Sequence, residues 1–528
     1  MIDRQPDAPV PSRRPGAARA APIDRLRGDV HLLGDLVGEV LREQGGPELF
    51  DAVEHLRTSA IALRSDGEDA AREAALLAWV ESQPTGRLLA LVRAFSVYFH
   101  LINLAEQHHR VRTLRARERD GGSLHETIAA GLTALREADT PAEAVAAGLR
   151  DLAVRPVFTA HPSEARRRTL RHHLLRAADL IAKLDAPDAI PRERAATLDA
   201  LRERITLIWQ TAAAREAQPS VLDEVQSVLI VLGGVVYDVA PQVGRVLAAA
   251  VADAYPGAAG VARAATGRWL QPGTWVGGDR DGHPGVTPDI SRAAARLARA
   301  AIVRRYREEV RALGIDLSIS ARLNGASPAL LASLDRDLAD LGVQPVRRWR
   351  DEPYRRKCGL IGERLRRTEG DQPGGYATAE AFQADLALLA ESLTAHGGAR
   401  IAAGPVRDLQ QRVALFGLHL AELEIRQHAD RYNGAVAELF GLAGVAGYGA
   451  LAEADRLALL EARLADQPFA HAPEILSPRT REILDTFTAM ADIQALCGPA
   501  ACRTAIISMC QAPSDVLAVL LLAREAGL

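Results

Sequence analysis

Apolar positions along the chain recur mostly at helical spacing. From Ile23 onward Leu26, Val30, Leu33, Val37, Val40 and Leu41 fall three and four residues apart, which predicts a helix that stops at Gly45-Gly46. Residues 91–115 (LVRAFSVYFHLINLAEQHHRVRTLR) predict a second long helix, and helices continue to about residue 150. A long helical stretch follows over 164–268. Within it Leu201, Ile205 and Ile208 make one stripe, and Trp209 reads as a core residue beside them. Helices resume from Pro288 to about Arg412.

Four short apolar runs break this pattern and predict strands: 154–160, 273–276, the end of 415–427, and 504–509. In 415–427 the leucines do not alternate cleanly, so helix and strand compete there. The last run leads into Pro513-Ser514-Asp515, where Ser514 or Asp515 is placed to cap a helix that ends at Gly527.

Polar residues follow each strand. His161-Pro162 ends the first, and Ser163-Glu164 opens a helix carrying Arg166, Arg167 and Arg168. Helix amides and guanidinium groups hold anions, and histidine moves protons near neutral pH. His161 as a hydrogen-bonded turn residue is the competing reading. The second strand leads into GGDRDGHPG (277–285), where Asp279, Arg280 and Asp281 gather charge beside Trp275. A plain surface turn is the rival there, against which stand the adjacent indole and the charge density. An EF-hand loop is excluded, because the downstream Glu spacing is absent. The third strand exits through Arg426, an anion holder or a salt-bridge partner.

Composition narrows the classes. The chain has 528 residues, 48% hydrophobic, 25% charged, with a formal net charge of -3. No basic excess points to nucleic acid, and 4% aromatics offer little base-stacking surface. Lys183 and Lys357 are the only lysines, and neither lies where a Schiff base is expected. Cys358, Cys497, Cys502 and Cys510 lack CxxC spacing and read as free thiols. His108 and His109 are adjacent on a helix, point about 100° apart, and read as packing or surface residues rather than a chelating pair. The basic run 352–368 reads as a solvated helix face, with an anion contact as the alternative. No apolar run of membrane-spanning length with suitable flanks is apparent, and the Pro/Arg/Ala-rich residues 1–21 read as a disordered tail without a secretory core. A cytoplasmic protein, with no nucleic-acid or membrane partner, is expected.

The same strand-end stretches carry a family resemblance. VFTAHPSEARRRTL resembles the phosphoenolpyruvate carboxylase signature V-x-T-A-H-P-T-E-A. WVGGDRDGHPGVT resembles that family's W-x-G-G-D-R-D-G-N-P block, LAELEIRQHADR its L-D-I-R-Q block, and AIISMCQAPSDVLAVLLLAREAG its I-S-M-x-x-x-P-S-D-V-L-A-V block. LLGDLVGEVLREQGG and NLAEQHHRVR agree as well, in order from about residue 23 to the end. Ser163 stands where Thr is usual, His283 where Asn is usual, and Glu424 replaces Asp.

The resemblance implies a mostly helical protein with an α/β core, the first four strand–helix units of a (β/α)8 barrel. The expected layout is a tail (1–21), a helical region (22–150) and the first half of the barrel with long helical insertions (151–528). It implies joining of bicarbonate to phosphoenolpyruvate, giving oxaloacetate and phosphate, with Mg²⁺ or Mn²⁺, in a homotetramer. His161 matches the histidine that handles a proton at the carboxyphosphate stage. Arg426 matches an arginine holding the substrate phosphate, and Trp275, Asp279 and Arg280 match the block that lines or supports the same site. The family's metal ligands match nothing before residue 528. An incomplete carboxylase chain, inactive alone and with open strand edges and an exposed apolar helix after Ser514, is therefore expected. The alternative is a truncated, non-catalytic paralogue that binds or regulates a full-length subunit.

Overall fold

The computed structural model describes residues 22–65, 69–121, 124–159, 168–212, 219–265, 267–281, 285–469 and 473–528. The tail 1–21, His161, Ser163, Arg166, Arg167 and His283 lie outside them.

The chain is mostly helical and divides into two compact units. The first comprises residues up to His125 together with 165–217; the second comprises 126–164 and 218–528. In the first, Pro22–Ser65 is one helical run interrupted at Gly46, whose φ of 78° no ordinary helical residue adopts. The stop predicted at Gly45-Gly46 is thus a kink, because Pro47 is acceptable in the first turn of the continuing helix. This run packs on Thr85–Arg119, and Ala70–Glu81, Arg168–Leu184 and Pro191–Gln210 belong to the same unit. Its core holds the expected stripe: Leu201, Ile205, Ile208 and Trp209 are buried with Leu33, Val37, Val40, Leu41 and Leu101. His108 pairs with Asp185 at 2.6 Å, and Asp185 also binds Arg112. This is a partly exposed ion pair; the sequence favoured a packing or surface role.

Among the described residues the second unit carries five short strands. β1 (Val157–Phe158), β2 (Gly273–Thr274) and β3 (Glu422–Leu423) form a parallel sheet in that order. β4 (Ile425–His428) pairs in parallel with β5 (Ala505–Ser508). An isolated parallel bridge, Asp279 to Arg426, joins the loop after β2 to β4. Four strand positions therefore lie side by side in chain order, all parallel, with helices between them. Parallel strands require such crossovers.

In the contested 415–427 run the helix wins as far as Phe416. Arg407–Phe416 ends at Gly417 (φ 53°), and strand begins only at Glu422.

Several helices differ from expectation. The basic run 352–368 is not a solvated face. Pro353–Glu369 buries Tyr354, Cys358, Ile361 and Leu365, and Lys357 is wholly buried, 2.7 Å from Asp337 and 2.5 Å from Asp385. Its arginines occur at spacings that leave an apolar stripe free for packing. The last helix, Pro513–Glu525, is not simply exposed. Ser514, Ala518, Leu521 and Leu522 are buried against helices Ala429–Leu442 and Glu453–Ala465, although Val516 and Leu520 face outward. Of its two candidate caps, Asp515 accepts from the Gln511 and Ala512 amides, while Ser514 binds Glu453. Gly527 follows with φ 78°, as a C-terminal stop requires. All four cysteines are free thiols, three of them buried. Two helical runs, Thr85–Arg119 and Val221–Ala254, are long and apolar enough to cross a membrane by composition, which the sequence reading did not anticipate. In each, apolar side chains enter a core: Leu91, Val97 and Leu101 in the first unit, Leu232, Tyr237 and Leu247 in the second.

Candidate active site at the strand carboxyl ends

Arg426 is the centre of the site. It sits in β4, where side chains alternate between faces, so Ile425 and Gln427 are buried while Arg426 and His428 are half-buried. Its guanidinium is held from four sides. Nη1 donates to Asp279 Oδ2 at 2.8 Å, Nη2 to Asp281 Oδ2 at 2.9 Å, and Nε to Ser508 Oγ at 2.9 Å. The Trp275 ring lies beneath, its centroid 5.0 Å from the guanidinium carbon. The cation is thereby fixed in orientation while two carboxylates balance its charge.

The GGDRDG loop delivers these carboxylates because its backbone comes very close to β4. Arg280 N donates to Arg426 O at 2.9 Å, and Arg426 N to Gly278 O at 3.0 Å. A Cβ on Gly278 would lie 2.1 Å from Glu424 O, so only glycine fits. Gly277 (φ 88°) makes the turn itself. Glu424, buried at the break between β3 and β4, accepts from Trp275 Nε1 at 2.6 Å and so sets the indole plane.

Arg280 does not converge with the others. It lies between Asp279 and Asp281, so period-two alternation turns it to the opposite face. It is 7% exposed, with Nη1 on Gly278 O at 3.0 Å and Nη2 on Ser291 Oγ at 2.9 Å, and burial lowers its pKa. It ties the loop to helix Pro288–Asp316, a support rather than an anion contact on this face.

Asp281 and Ser508 share one partner, Arg426. Ser508 ends β5, the neighbour of β4, and Asp281 follows Asp279, which bridges to Arg426. Among the described residues no group of three or more His, Cys, Asp or Glu side chains is arranged to hold a metal ion. Asp279 and Asp281 are both occupied by Arg426, so the residues present here do not by themselves fit a divalent cation.

Known proteins resemble this chain along most of its length. The family model described as phosphoenolpyruvate carboxylase matches residues 26–528. A phosphoenolpyruvate carboxylase of Roseiflexus castenholzii is 37% identical over 96% of this chain and 55% of its own length. One of Ralstonia nicotianae is 35% identical over 98% of this chain and 53% of its own. One of Rhodopseudomonas palustris is 34% identical over 100% and 57%. The chain spans about half the length of these curated relatives. It belongs to the phosphoenolpyruvate carboxylase family.

Proposed function

We propose that this chain provides the phosphate-holding part of a phosphoenolpyruvate carboxylase site, and that its four parallel strand positions are the first four of a (β/α)8 barrel. The layout supports the barrel reading: strands parallel and in chain order, helical crossovers, and polar groups gathered at strand carboxyl ends. Residues 151–528 are then the barrel half, with 165–217 among its helical insertions.

The observation that carries the functional reading is Arg426, held in plane by Asp279, Asp281 and Ser508 over Trp275. A guanidinium fixed at three nitrogens keeps its orientation as charge moves in the substrate, which is what stabilisation of a transferring phosphoryl group asks. In the reaction a bicarbonate oxygen attacks phosphorus and the bond from phosphorus to the enol oxygen breaks, leaving carboxyphosphate and the enolate of pyruvate. Carboxyphosphate separates into phosphate and carbon dioxide, and the enolate carbon bonds to the latter, giving oxaloacetate. Arg426 binds the phosphate, Trp275 and Asp279 hold Arg426, Arg280 anchors the loop, and His161 handles the proton at the carboxyphosphate stage. Mg²⁺ or Mn²⁺ is the metal of this reading; its ligands are taken to come from the part of the relatives' length that this chain does not span. The chain is thus read as inactive alone, in a homotetrameric cytoplasmic assembly when complete.

A chimera tests the reading. Residues 26–528 replace the matching part of the Roseiflexus castenholzii relative, and oxaloacetate formation is followed through coupled NADH oxidation. Turnover is expected, with at least a 100-fold loss of kcat/KM in Arg426→Gln and in His161→Ala. A folded chimera without turnover, or with turnover indifferent to both substitutions, would sink it. The 528-residue chain alone is expected to give none.

A further inference from the structure

A second charged cavity lies at the opposite, amino-terminal ends of the strands. It is about 880 Å³ and is bounded by Arg268 ahead of β2, His419 ahead of β3, Arg503 ahead of β5, and Arg407 at the start of helix Arg407–Phe416. These residues belong to none of the strand-end motifs and do no work in the carboxyl-end site.

The charge balance there is one-sided. Arg503 is partly satisfied, with Nε 3.3 Å from Glu422 and Nη2 3.2 Å from Gln271. Glu422, however, already serves Arg155 at 3.1 Å and the Thr504 hydroxyl at 2.5 Å. Arg268 and Arg407 have no carboxylate partner among the described residues, and Glu380 is the one acidic side chain bounding the cavity among those residues. The His419 ring, with Arg268 and Arg503 near it, makes no hydrogen bond to the described residues; burial first and those two arginines second hold it neutral, with its pKa lowered to about 4. Three guanidinium groups and an unbonded imidazole thus face one concavity that holds a single carboxylate. Surface arginines scattered singly need no explanation; arginines converging on a cavity without counter-charge form an anion receptor.

We infer that this cavity binds a small organic anion carrying at least two negative groups, gripped by Arg268, Arg407 and Arg503. The volume far exceeds what inorganic phosphate fills, and three cations line it against one carboxylate. Phosphate and carboxylate groups share this chemistry. Because the cavity sits behind the strands that present Arg426, its occupant is a bound effector and not a substrate.

The test is calorimetric titration of the 528-residue chain at low salt with two probes, inorganic pyrophosphate and citrate. Saturable binding of at least one is expected, and the tighter of the two identifies the preferred group. Arg268→Gln with Arg407→Gln should weaken it at least 10-fold. Arg347→Gln, an exposed arginine away from the cavity, should leave it unchanged. Neither variant arginine has a side-chain partner among the described residues, so the melting temperature should stay within a few degrees. If the double variant nonetheless loses its cooperative melt, Arg407→Gln alone makes the same comparison. Absence of binding by the unaltered chain, equal binding by the cavity variants, or equal weakening by Arg347→Gln would each overturn the assignment.

Discussion

At the scale of single residues, the candidate site is a set of close approaches that tolerate little change. Gly278 is the tightest. A Cβ there meets Glu424 O at 2.1 Å, and backbone cannot rotate away as a side chain does. Gly278→Ala should therefore destabilise by at least about 2 kcal/mol and open the contact that aims Asp279 at Arg426, read as a lower urea midpoint. Trp275→Phe keeps the apolar ring but strands Glu424, a residue 7% exposed. The expected loss is about 1–3 kcal/mol, and Glu424→Gln in the same background should recover part of it by removing the uncompensated charge. His419 makes a pH prediction. Its folded pKa is about 4 against an ordinary 6.5, so the unfolded chain takes up the proton first. Stability is full above about pH 7 and falls as pH drops through 6.5 toward 4, by at most about 3 kcal/mol. His419→Asn should flatten this part of the profile; an unchanged slope would show that the ring is not held neutral.

At the scale of elements, alternation and periodicity decided what the sequence made legible. The strand positions at 154–160, 273–276 and 504–509 were readable because β-rich apolar runs end in polar turns. The helix stripe around Leu201 and Trp209 was readable because its period is 3.6. Arg280 shows what was lost by reading a motif as a block. Period-two alternation in D-R-D already separates it from its two neighbours, yet all three were grouped as one charge cluster. Helix Pro353–Glu369 shows the opposite error: a high arginine count hid an apolar face and a buried lysine. Lys357 lies between Asp337 and Asp385, with Arg364 on the other oxygen of Asp337 at 2.8 Å and the Tyr376 hydroxyl on Asp385 at 2.6 Å. No sequence signal marks such a network, because its members come from three helices and a loop. Removing one partner of a buried pair leaves charge without compensation, so Lys357→Met should cost about 3–5 kcal/mol. The triple change Lys357→Met, Asp337→Asn, Asp385→Asn should recover most of that loss. If Lys357→Met alone were neutral in a urea titration, the network would not be a coupled one.

At the scale of the whole molecule, the arrangement of strands sets how the chain behaves in solution. Among the described residues β1 and β5 each have one strand neighbour, so the two outer backbone edges offer unpaired N–H and C=O groups. All four residues of β5 are half-buried. Ser508 points to Arg426, and Ile506, two residues away, shares that face, whereas Ala505 and Ile507 pack toward the helices. A free parallel edge beside an apolar face pairs readily with another copy. The 528-residue chain should therefore self-associate with rising concentration, seen as a growing mean mass in light scattering. Ile506→Lys places a charge on the open face without touching the helix-packed side, and should shift association to higher concentration while leaving the melt unchanged. Strict monomers of the unaltered chain across that range would mean that the β5 edge is already covered. The same edge is where the chimera must join its second half, so suppression of association by Ile506→Lys and loss of chimera turnover in that variant should go together.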